Sequence, residues 1–247
     1  MSDDTLIGGS HDRFPVTHHS AIAGVRSSVE TERSCAYESI VTAYWKPVYK
    51  YIRMKWQKSN EDAKDLTQSF FTKVMEKEFF NGYDPVKARF RTFLRVCLDG
   101  FVSNEEKAAS RIKRGGDAQI LSLDFADADD ELAHAGPPSH ETLDEYFDKE
   151  WIRHLFTVAV ERLKTECRQN GKQVHFSLFE RYHIQEAELT YEEVGAEFGL
   201  SVSNVTNFLS FARKEFRRIV LEELRDITAT DDEFRNEARL VLGVDVT

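Results

Sequence analysis

Apolar side chains recur at steps of three and four residues along most of the chain, and this spacing predicts helices. The first apolar face begins at Ser34 and runs through Pro47, where we expect a kink or a helix restart. A second helix is predicted after the capping pair Ser59-Asn60, and a third from about Lys87 to Arg114. The inward-facing residues of these three helices are Tyr37, Val41, Tyr44, Val48, Ile52, Ala63, Leu66, Phe70, Val74, Phe90, Phe93, Leu94, Leu98, Phe101 and Val102.

A second set of helical patterns begins near Thr142, with one long helix and one shorter helix. The apolar positions of these two helices are Leu143, Phe147, Trp151, Leu155, Val158, Leu163, Phe176, Leu178, Phe179 and Tyr182. No strand-like alternation rivals these patterns, so the predicted fold class is all-helical, with two helical modules.

The most informative stretch runs from Leu189 to Arg218 and has the pattern of a helix-turn-helix. Gly195 lies where two helices must cross closely, and Gly199 lies where a tight turn needs a positive φ. Thr190 is the expected cap of the first helix, and Ser201 or Ser203 caps the second. Such a motif presents polar residues to the major groove and cations to phosphates. The candidate DNA contacts are Ser203, Asn204, Thr206, Asn207, Ser210, Arg213, Lys214 and Arg217, with Arg218 as a further cation. The alternative is a plain helical hairpin with a basic end.

The charge balance first argues against nucleic acid, because 33 Lys+Arg and 43 Asp+Glu give the 247-residue chain a net charge of −10. Its distribution changes that conclusion. Residues 1–116 carry 19 basic and 15 acidic residues, 117–150 carry one and 11, and 151–247 carry 13 and 17. The middle block alone therefore accounts for the net charge, and its Gly136-Pro137-Pro138 break predicts a flexible acidic linker. Whether the linker binds anything or is only a solvated tether stays open.

These patterns divide the chain into five predicted segments. They are a flexible arm (1–33), a first helical module (34–116), the acidic linker (117–141), a second helical module (142–226) and a tail (227–247) with a short amphipathic helix from Asp231 to Leu242.

Composition excludes several classes of protein. No apolar run reaches the roughly 18 residues of a membrane span, and the first ten residues lack the apolar core of a secretory signal. The three cysteines, Cys35, Cys97 and Cys167, are far apart and odd in number, which argues against a disulfide framework. We therefore expect a cytoplasmic protein with no membrane partner. Three histidines near the N-terminus lack further ligands at suitable spacing, so no metal and no cofactor is predicted.

The first module carries three groups of cations with phenylalanines between them. Five cations without an acid lie between Lys46 and Lys58. Cations alternating with aromatic rings suit nucleic acid whose bases are partly unstacked, although each ring by itself is more often a core residue. The candidate contacts of this second surface are Arg89, Arg91, Phe93, Arg95, Arg111, Lys113 and Arg114.

Three motifs resemble the extracytoplasmic-function (ECF) class of bacterial sigma-70 factors. They are EDAKDLTQSFF at 61–71, YWKPVY at 44–49 and RFRTFL at 89–94, followed by the C-terminal helix-turn-helix. The likeness covers about residues 34–115 and 142–225.

The resemblance implies a sigma factor that binds core RNA polymerase and directs promoter recognition, melting and transcription initiation. It implies that one helix face docks on the β′ clamp helices, namely Asp62, Asp65, Leu66, Gln68 and Phe71. It places the −10 element on 89–114, the −35 element on 203–217, and the acidic linker in the polymerase cleft. The polymerase β flap and an anti-sigma factor are further partners of this class.

Two features depart from the family pattern. The loop that captures a flipped base often carries Asn, and this chain has Asp99-Gly100 there, whose carboxylate repels phosphates. Positions that are often basic in the recognition helix are Thr206, Phe208 and Phe211 here, so a weaker −35 contact or different bases are expected.

Two other classes were weighed against a sigma factor. A helix-turn-helix regulator acting without polymerase leaves 61–71 and the cations of the first module unexplained. A nuclease would need Asp124, Asp127, Asp129 and Asp130 as metal ligands, but these lie in a linker without a rigid scaffold. We therefore expect a protein that is not an enzyme.

Overall fold

The computed structural model describes residues 20–76, 79–109, 123, 125, 128, 131–132, 142–185 and 189–246. The described residues form helices and no strand, which confirms the predicted all-helical class. The helices are α1 (Ala21–Gly24), α2 (Glu30–Trp56), α3 (Asn60–Val74), α4 (Phe90–Ala109), α5 (Leu143–Gln169), α6 (Gln173–His183), α7 (Tyr191–Phe198), α8 (Val202–Asp226) and α9 (Asp231–Leu242). A 3-10 turn, Phe79–Gly82, lies between α3 and α4.

The first module is built from α2, α3 and α4 around a core of aromatic rings. Ser59 caps α3 as predicted, with its hydroxyl accepting a hydrogen bond from the amide of Asp62 at 3.1 Å. Phe70 and Phe90 are buried, and Phe80 stacks on Phe90 with ring centroids 5.9 Å apart. Pro47 lies inside α2, so the alternative of a helix restart at this residue is wrong. The tertiary packing around Pro47, where residues 46–52 are all buried, outweighs the one hydrogen bond that a proline removes.

The N-terminal side of the first module differs from the predicted flexible arm. The arm was expected to reach residue 33, but α1 occupies Ala21–Gly24 and α2 begins at Glu30. Ile22 and Val25 are 3% and 2% exposed, so this segment is part of the core. The burial of its few apolar side chains explains why this part of the arm folds. Residues 1–19, including His11, His18 and His19, lie outside the described part of the chain.

The described linker residues also differ from a flexible tether. Phe125 and Ala128 are buried with helical backbone, and Phe125 meets the rings of Trp45 and Tyr49 edge to face. Glu131 accepts hydrogen bonds from the ammonium groups of Lys46 at 2.7 Å and Lys50 at 2.6 Å. Sequence composition alone missed these anchors because two apolar residues among many acids leave no periodic signal.

The two predicted modules share one core. Along α2 and α5, Tyr44 stacks on Trp151 with centroids 6.1 Å apart, and Tyr51 meets Phe147 edge to face at 5.4 Å. Lys50 lies in this contact and donates a hydrogen bond to Glu150 at 2.7 Å, with both side chains buried. Aromatic pairs of this kind contribute more stability than the burial of their surface area alone. The two modules therefore pack directly against each other and are not joined only by the acidic linker.

Helices α5 to α9 complete the structure. A capping box starts α5, in which the hydroxyl of Thr142 accepts from the amide of Glu145 and the Glu145 carboxylate accepts from the Thr142 amide. Helix α9 occupies the segment for which the amphipathic helix was predicted, and it begins after its cap, Thr230. Every helix in the described ranges is too short or too polar to cross a bilayer.

Candidate nucleic-acid interface

The turn between α7 and α8 depends on two glycines. Gly199 has a φ of 65°, the left-handed conformation that the sequence predicted for a tight turn. The amide of Leu200 donates to the carbonyl of Gly195 at 2.8 Å and closes the turn. A Cβ at Gly195 would lie 2.8 Å from the Leu200 carbonyl oxygen, so the close crossing predicted at this residue is confirmed.

Caps fix where both helices of this pair begin. The hydroxyl of Thr190 accepts from the Glu193 amide, and the Glu193 carboxylate accepts from the Thr190 amide at 2.8 Å. These hydrogen bonds lower the pKa of Glu193. Ser201, one of the two predicted caps, accepts from the Asn204 amide and starts α8. The angle and register of α8 are therefore set by local interactions on both sides of the turn.

Helix α8 separates its faces cleanly. Val205, Leu209 and Ala212 are fully buried against the other helices. The predicted −35 contacts on the opposite face that are exposed are Ser203, Asn204, Thr206, Asn207, Ser210, Lys214 and Arg217. The first turn of α8 carries no acidic residue, so the partial positive charge of the helix N-terminus is not neutralised there. This face can approach a phosphate backbone and offer amides and hydroxyls to base edges.

Arg213 and Arg218 are less available than the other cations of α8. The Arg213 guanidinium donates to Nε2 of His183 at 2.9 Å and to the hydroxyl of Tyr191 at 3.0 Å. Burial, and then the charge of Arg213, lowers the pKa of His183 and favours the neutral ring that accepts this bond. Arg218 pairs with three carboxylates, those of Glu166, Glu215 and Glu222. Its expected role as a phosphate contact stays a prediction, and it would require these ion pairs to open.

The two phenylalanines that replace basic residues in α8 have a packing role. Phe208 stacks on His175 of α6 with ring centroids 4.0 Å apart, and Phe211 meets the same ring edge to face at 5.2 Å. The ammonium of Lys172 lies 3.6 Å from the centre of the Phe211 ring. These side chains hold α6 on α8, which explains in physical terms why they are aromatic here.

The predicted docking residues on α3 fall into two groups. Asp62 and Asp65 are exposed, and Leu66 and Gln68 are half-buried, so these four lie at the surface. Phe71 differs, because its ring is fully buried and packs edge to face on Phe70 at 5.6 Å. Phe71 supports the surface from beneath and is not itself available to a partner in this structure.

The predicted −10 cations of α4 are held by carboxylates from elsewhere in the chain. Arg91 is 1% exposed; it pairs with Glu237 and with Asp148 at 2.9 Å, and its guanidinium lies 4.6 Å from the Trp151 ring centre. Arg95 is 14% exposed and lies 2.5 Å from Asp144. A buried cation needs such a partner. The apolar periodicity of α4 alone does not predict these carboxylates, because they lie on other helices.

The remaining predicted −10 residues differ in their surroundings. Arg89 keeps 43% of its side chain exposed, with its Nε 3.6 Å from Glu237. Phe93 is half-buried among Phe79 and Tyr83, with centroids 5.6 and 5.3 Å away, so its ring serves the core. Arg111, Lys113 and Arg114 lie outside the described residues.

The predicted base-capturing loop is not a loop. Asp99 and Gly100 lie within α4, where Asp99 pairs with Lys55 at 2.8 Å and approaches Arg95 at 3.9 Å. Burial lowers the pKa of Lys55, but the hydrogen bonds to Asp99 and Tyr51 outweigh burial, so the pKa of Lys55 is raised. The Asp99 carboxylate is therefore compensated, and the repulsion of phosphates expected from it is correspondingly reduced.

The family model for ECF sigma factors matches residues 28–222. No curated protein and no solved structure matches the chain significantly. Sigma factors are not enzymes; they bind core RNA polymerase and promoter DNA and act in transcription initiation. Since the match spans α2 to α8 except for the last residues of α8, the chain belongs to the ECF sigma factor family.

Proposed function

We propose that α8 recognises the −35 element of this factor's promoters in the major groove. The observation that carries this proposal is the exposed, acid-free first turn of α8 behind the Gly195–Gly199 crossing. Asn204 and Asn207 lie three residues apart on that face, and their amide groups are suited to hydrogen bonds with base edges. Lys214 and Arg217, two turns further along, are suited to the phosphates of the same site.

Binding measurements with single substitutions test this assignment. The Asn207→Ala variant should lose about 1–3 kcal/mol of discrimination at one base pair, because a bidentate contact is removed. Lys214→Ala should weaken binding to all sequences and reduce the salt slope by about one, because a phosphate contact is removed. If both variants bound every sequence as the parent does, α8 would not be the recognition helix.

The surface of α3 formed by Asp62, Asp65, Leu66 and Gln68 is the part of the chain that docks on the β′ clamp helices in this proposal. Two exposed carboxylates and an amide beside an apolar side chain suit a basic partner surface. The double variant Asp65→Ala/Gln68→Ala should bind core polymerase less tightly while keeping its helical circular dichroism. Glu38→Ala is the matched control, since Glu38 is an exposed carboxylate that lies on α2 and not on α3. Unchanged core binding by the double variant would rule out this surface.

A groove in the second module is the corresponding candidate for the β flap. It is open and has a volume of about 790 Å³, with apolar walls from Phe156, Val160, Phe179 and Phe216. Three cations, Arg153, Arg213 and Arg217, and two acids, Glu161 and Glu180, also line it. Apolar side chains with cations around them are typical of partner-binding grooves. Val160→Asp should therefore reduce recruitment to promoters that depend on the −35 element. Core polymerase with its flap tip deleted should show no difference between Val160→Asp and the parent.

We place the −10 element on the start of α4 and the residue before it, through Arg89, Arg91 and Arg95. The support is their cationic character within seven residues of one another and their position inside the range matched by the family model. A cytoplasmic location is part of the same proposal, since core polymerase acts there. Arg89→Ala should slow open-complex formation by the assembled holoenzyme, measured with permanganate at unpaired thymines, while −35 protection persists.

A further inference from the structure

Helix α9 carries two glutamates that are almost completely buried. Glu233 and Glu237 are 6% and 3% exposed and lie four residues apart, on one face of the helix. A carboxylate is buried only when charged or hydrogen-bonding partners compensate for its lost hydration. Apart from the Ala229 amide, the partners of both glutamates in the described part of the chain lie at the beginning of α4 and in the segment before it.

Glu233 holds the N-terminus of α4. Its carboxylate accepts hydrogen bonds from the amide of Phe90 at 2.7 Å and from the hydroxyl of Tyr83 at 2.9 Å. It also accepts from the amide of Ala229 at 2.8 Å, so the same side chain fixes the segment leading into α9. Acceptors of this kind at a helix N-terminus satisfy a free amide and favour negative charge. The first residue of α4 is thereby tied to the last helix of the chain.

Glu237 holds the cations of α4. It pairs with Arg91, whose side chain is 1% exposed, and lies 3.6 Å from Arg89. Oδ1 of Asp148 in α5 forms a second ion pair with Nε of Arg91, at 2.9 Å. Arg91 cannot meet a phosphate while two carboxylates and the face of Trp151 enclose it.

We infer that α9 is an autoinhibitory clasp, which keeps the −10 surface of the free protein closed by occupying the start of α4 with Glu233 and Glu237. The inference rests on the proposed assignment of the −10 element to α4. Helix α9 begins at Asp231, beyond the family match that ends at 222, so the clasp belongs to this chain and not to the part it shares with the family model. The carboxylates take the place of DNA phosphates, and binding of the −10 DNA requires that α9 leave α4.

The experiment compares the full-length Glu237→Gln variant with the parent and with Asp232→Asn. Asp232 is an exposed carboxylate of α9 whose recorded partner is Arg235 of the same helix, so its substitution removes the same charge without touching α4. Amide hydrogen exchange at 90–94 reports opening of the clasp directly, because the Phe90 amide is bonded to Glu233. Affinity for a fluorescent oligo-dT strand of about 20 nucleotides, without polymerase, reports exposure of the α4 cations.

The clasp predicts faster exchange at 90–94 and about five- to tenfold tighter oligo-dT binding for Glu237→Gln. The salt slope should steepen by about 0.7 for each released cation. Asp232→Asn should match the parent in both measurements. If Glu237→Gln does not fold by circular dichroism, Glu233→Gln is measured in its place with the same expectations, since it removes the negative charge that accepts from the Phe90 amide.

Three results separate the inference from the proposed function. Unchanged exchange at 90–94 overturns the clasp. Faster exchange without tighter oligo-dT binding overturns its inhibitory role. The −10 assignment is tested independently by Arg89→Ala in the assembled holoenzyme, where unchanged promoter opening overturns the proposed function whatever α9 does.

Discussion

The exposed face of α8 and the cationic start of α4 are both rich in side chains suited to nucleic acid, but the first is open to solvent and the second is paired with carboxylates. On α8, Lys214 and Arg217 are exposed, and the polar first turn carries no acid. On α4, Arg91 is buried against Glu237 and Asp148, and Arg95 pairs with Asp144. The number of cations in a segment therefore indicates its affinity for DNA only once their partners are known.

The largest expected difference between the two regions is in stability. Arg91→Ala leaves the Glu237 carboxylate buried without its main partner, which should lower the free energy of unfolding by about 3–5 kcal/mol. Lys214→Ala, on the exposed face of α8, should change it by less than about 0.5 kcal/mol. Urea unfolding followed by circular dichroism gives both values. Equal effects of the two substitutions would contradict the contrast.

A matched pair of glycines tests the geometry of each region. Gly195→Ala places a Cβ 2.8 Å from the Leu200 carbonyl and should cost about 1–3 kcal/mol, with about tenfold weaker promoter binding. Gly100→Ala, at an exposed position inside α4 with no atom within 4 Å of the new Cβ, should stabilise the chain by about 0.5–1 kcal/mol. Thermal unfolding and promoter binding of both variants provide the comparison. If Gly195→Ala left stability and promoter binding unchanged, the α7–α8 crossing would have room for a Cβ that the structure does not show.

Acid should weaken the contact between α2 and α5 that joins the two modules. His154 of α5 lies 2.6 Å from the Thr42 carbonyl through Nε2, and its buried Nδ1 has no hydrogen-bond partner among the described residues. Burial is the main cause that lowers the pKa of His154 to about 4, from an ordinary value of 6.5. Between those two values the unfolded chain binds a proton that the folded chain does not, so stability falls as pH falls. At pH 5 the loss from this group is about 2 kcal/mol.

The His154→Gln variant isolates this contribution. Gln keeps an amide donor for the Thr42 carbonyl and does not titrate. Unfolding free energies at pH 7 and pH 5 should therefore fall less for the variant than for the parent, by about 2 kcal/mol. An equal loss in both proteins would assign the acid sensitivity to carboxylates such as Glu131. Although burial raises the pKa of Glu131, hydrogen bonds from Lys46 and Lys50 outweigh burial and lower it.

The smallest expected effect concerns the salt dependence of DNA binding. Replacing Lys214 by Ala should make the slope of the logarithm of affinity against the logarithm of salt concentration less steep by about one. Replacing Arg218 should leave the slope unchanged, because Glu166, Glu215 and Glu222 already neutralise that cation. A reduced slope for Arg218→Ala would show that this ion-pair network opens on DNA.

Local chemistry explains which features could be predicted from the sequence. The caps at Ser59 and Thr190 and the glycines at 195 and 199 depend on neighbours within a few residues, and all four occur as predicted. Features set by distant partners could not be predicted in this way. The burial of Arg91 depends on Glu237, which lies 146 residues further along the chain.

The modules were predicted as separate units because their shared core is spread over distant parts of the sequence. Tyr44 and Trp151 each fit the apolar face of their own helix, and only the structure shows that these faces meet. The linker anchors at Phe125 and Glu131 were hidden in the same way within an acidic stretch. Periodicity identifies which side chains are buried but not which element covers them.

The most direct test of this contrast is a footprint of the full-length protein on a promoter, with and without core polymerase. The free protein should protect the −35 element through α8 and leave the −10 element unprotected. With core polymerase, both elements should be protected, and thymines of the −10 element should react with permanganate. Equal protection of both elements by the free protein would show that the start of α4 is open without polymerase and that the contrast between α4 and α8 is wrong.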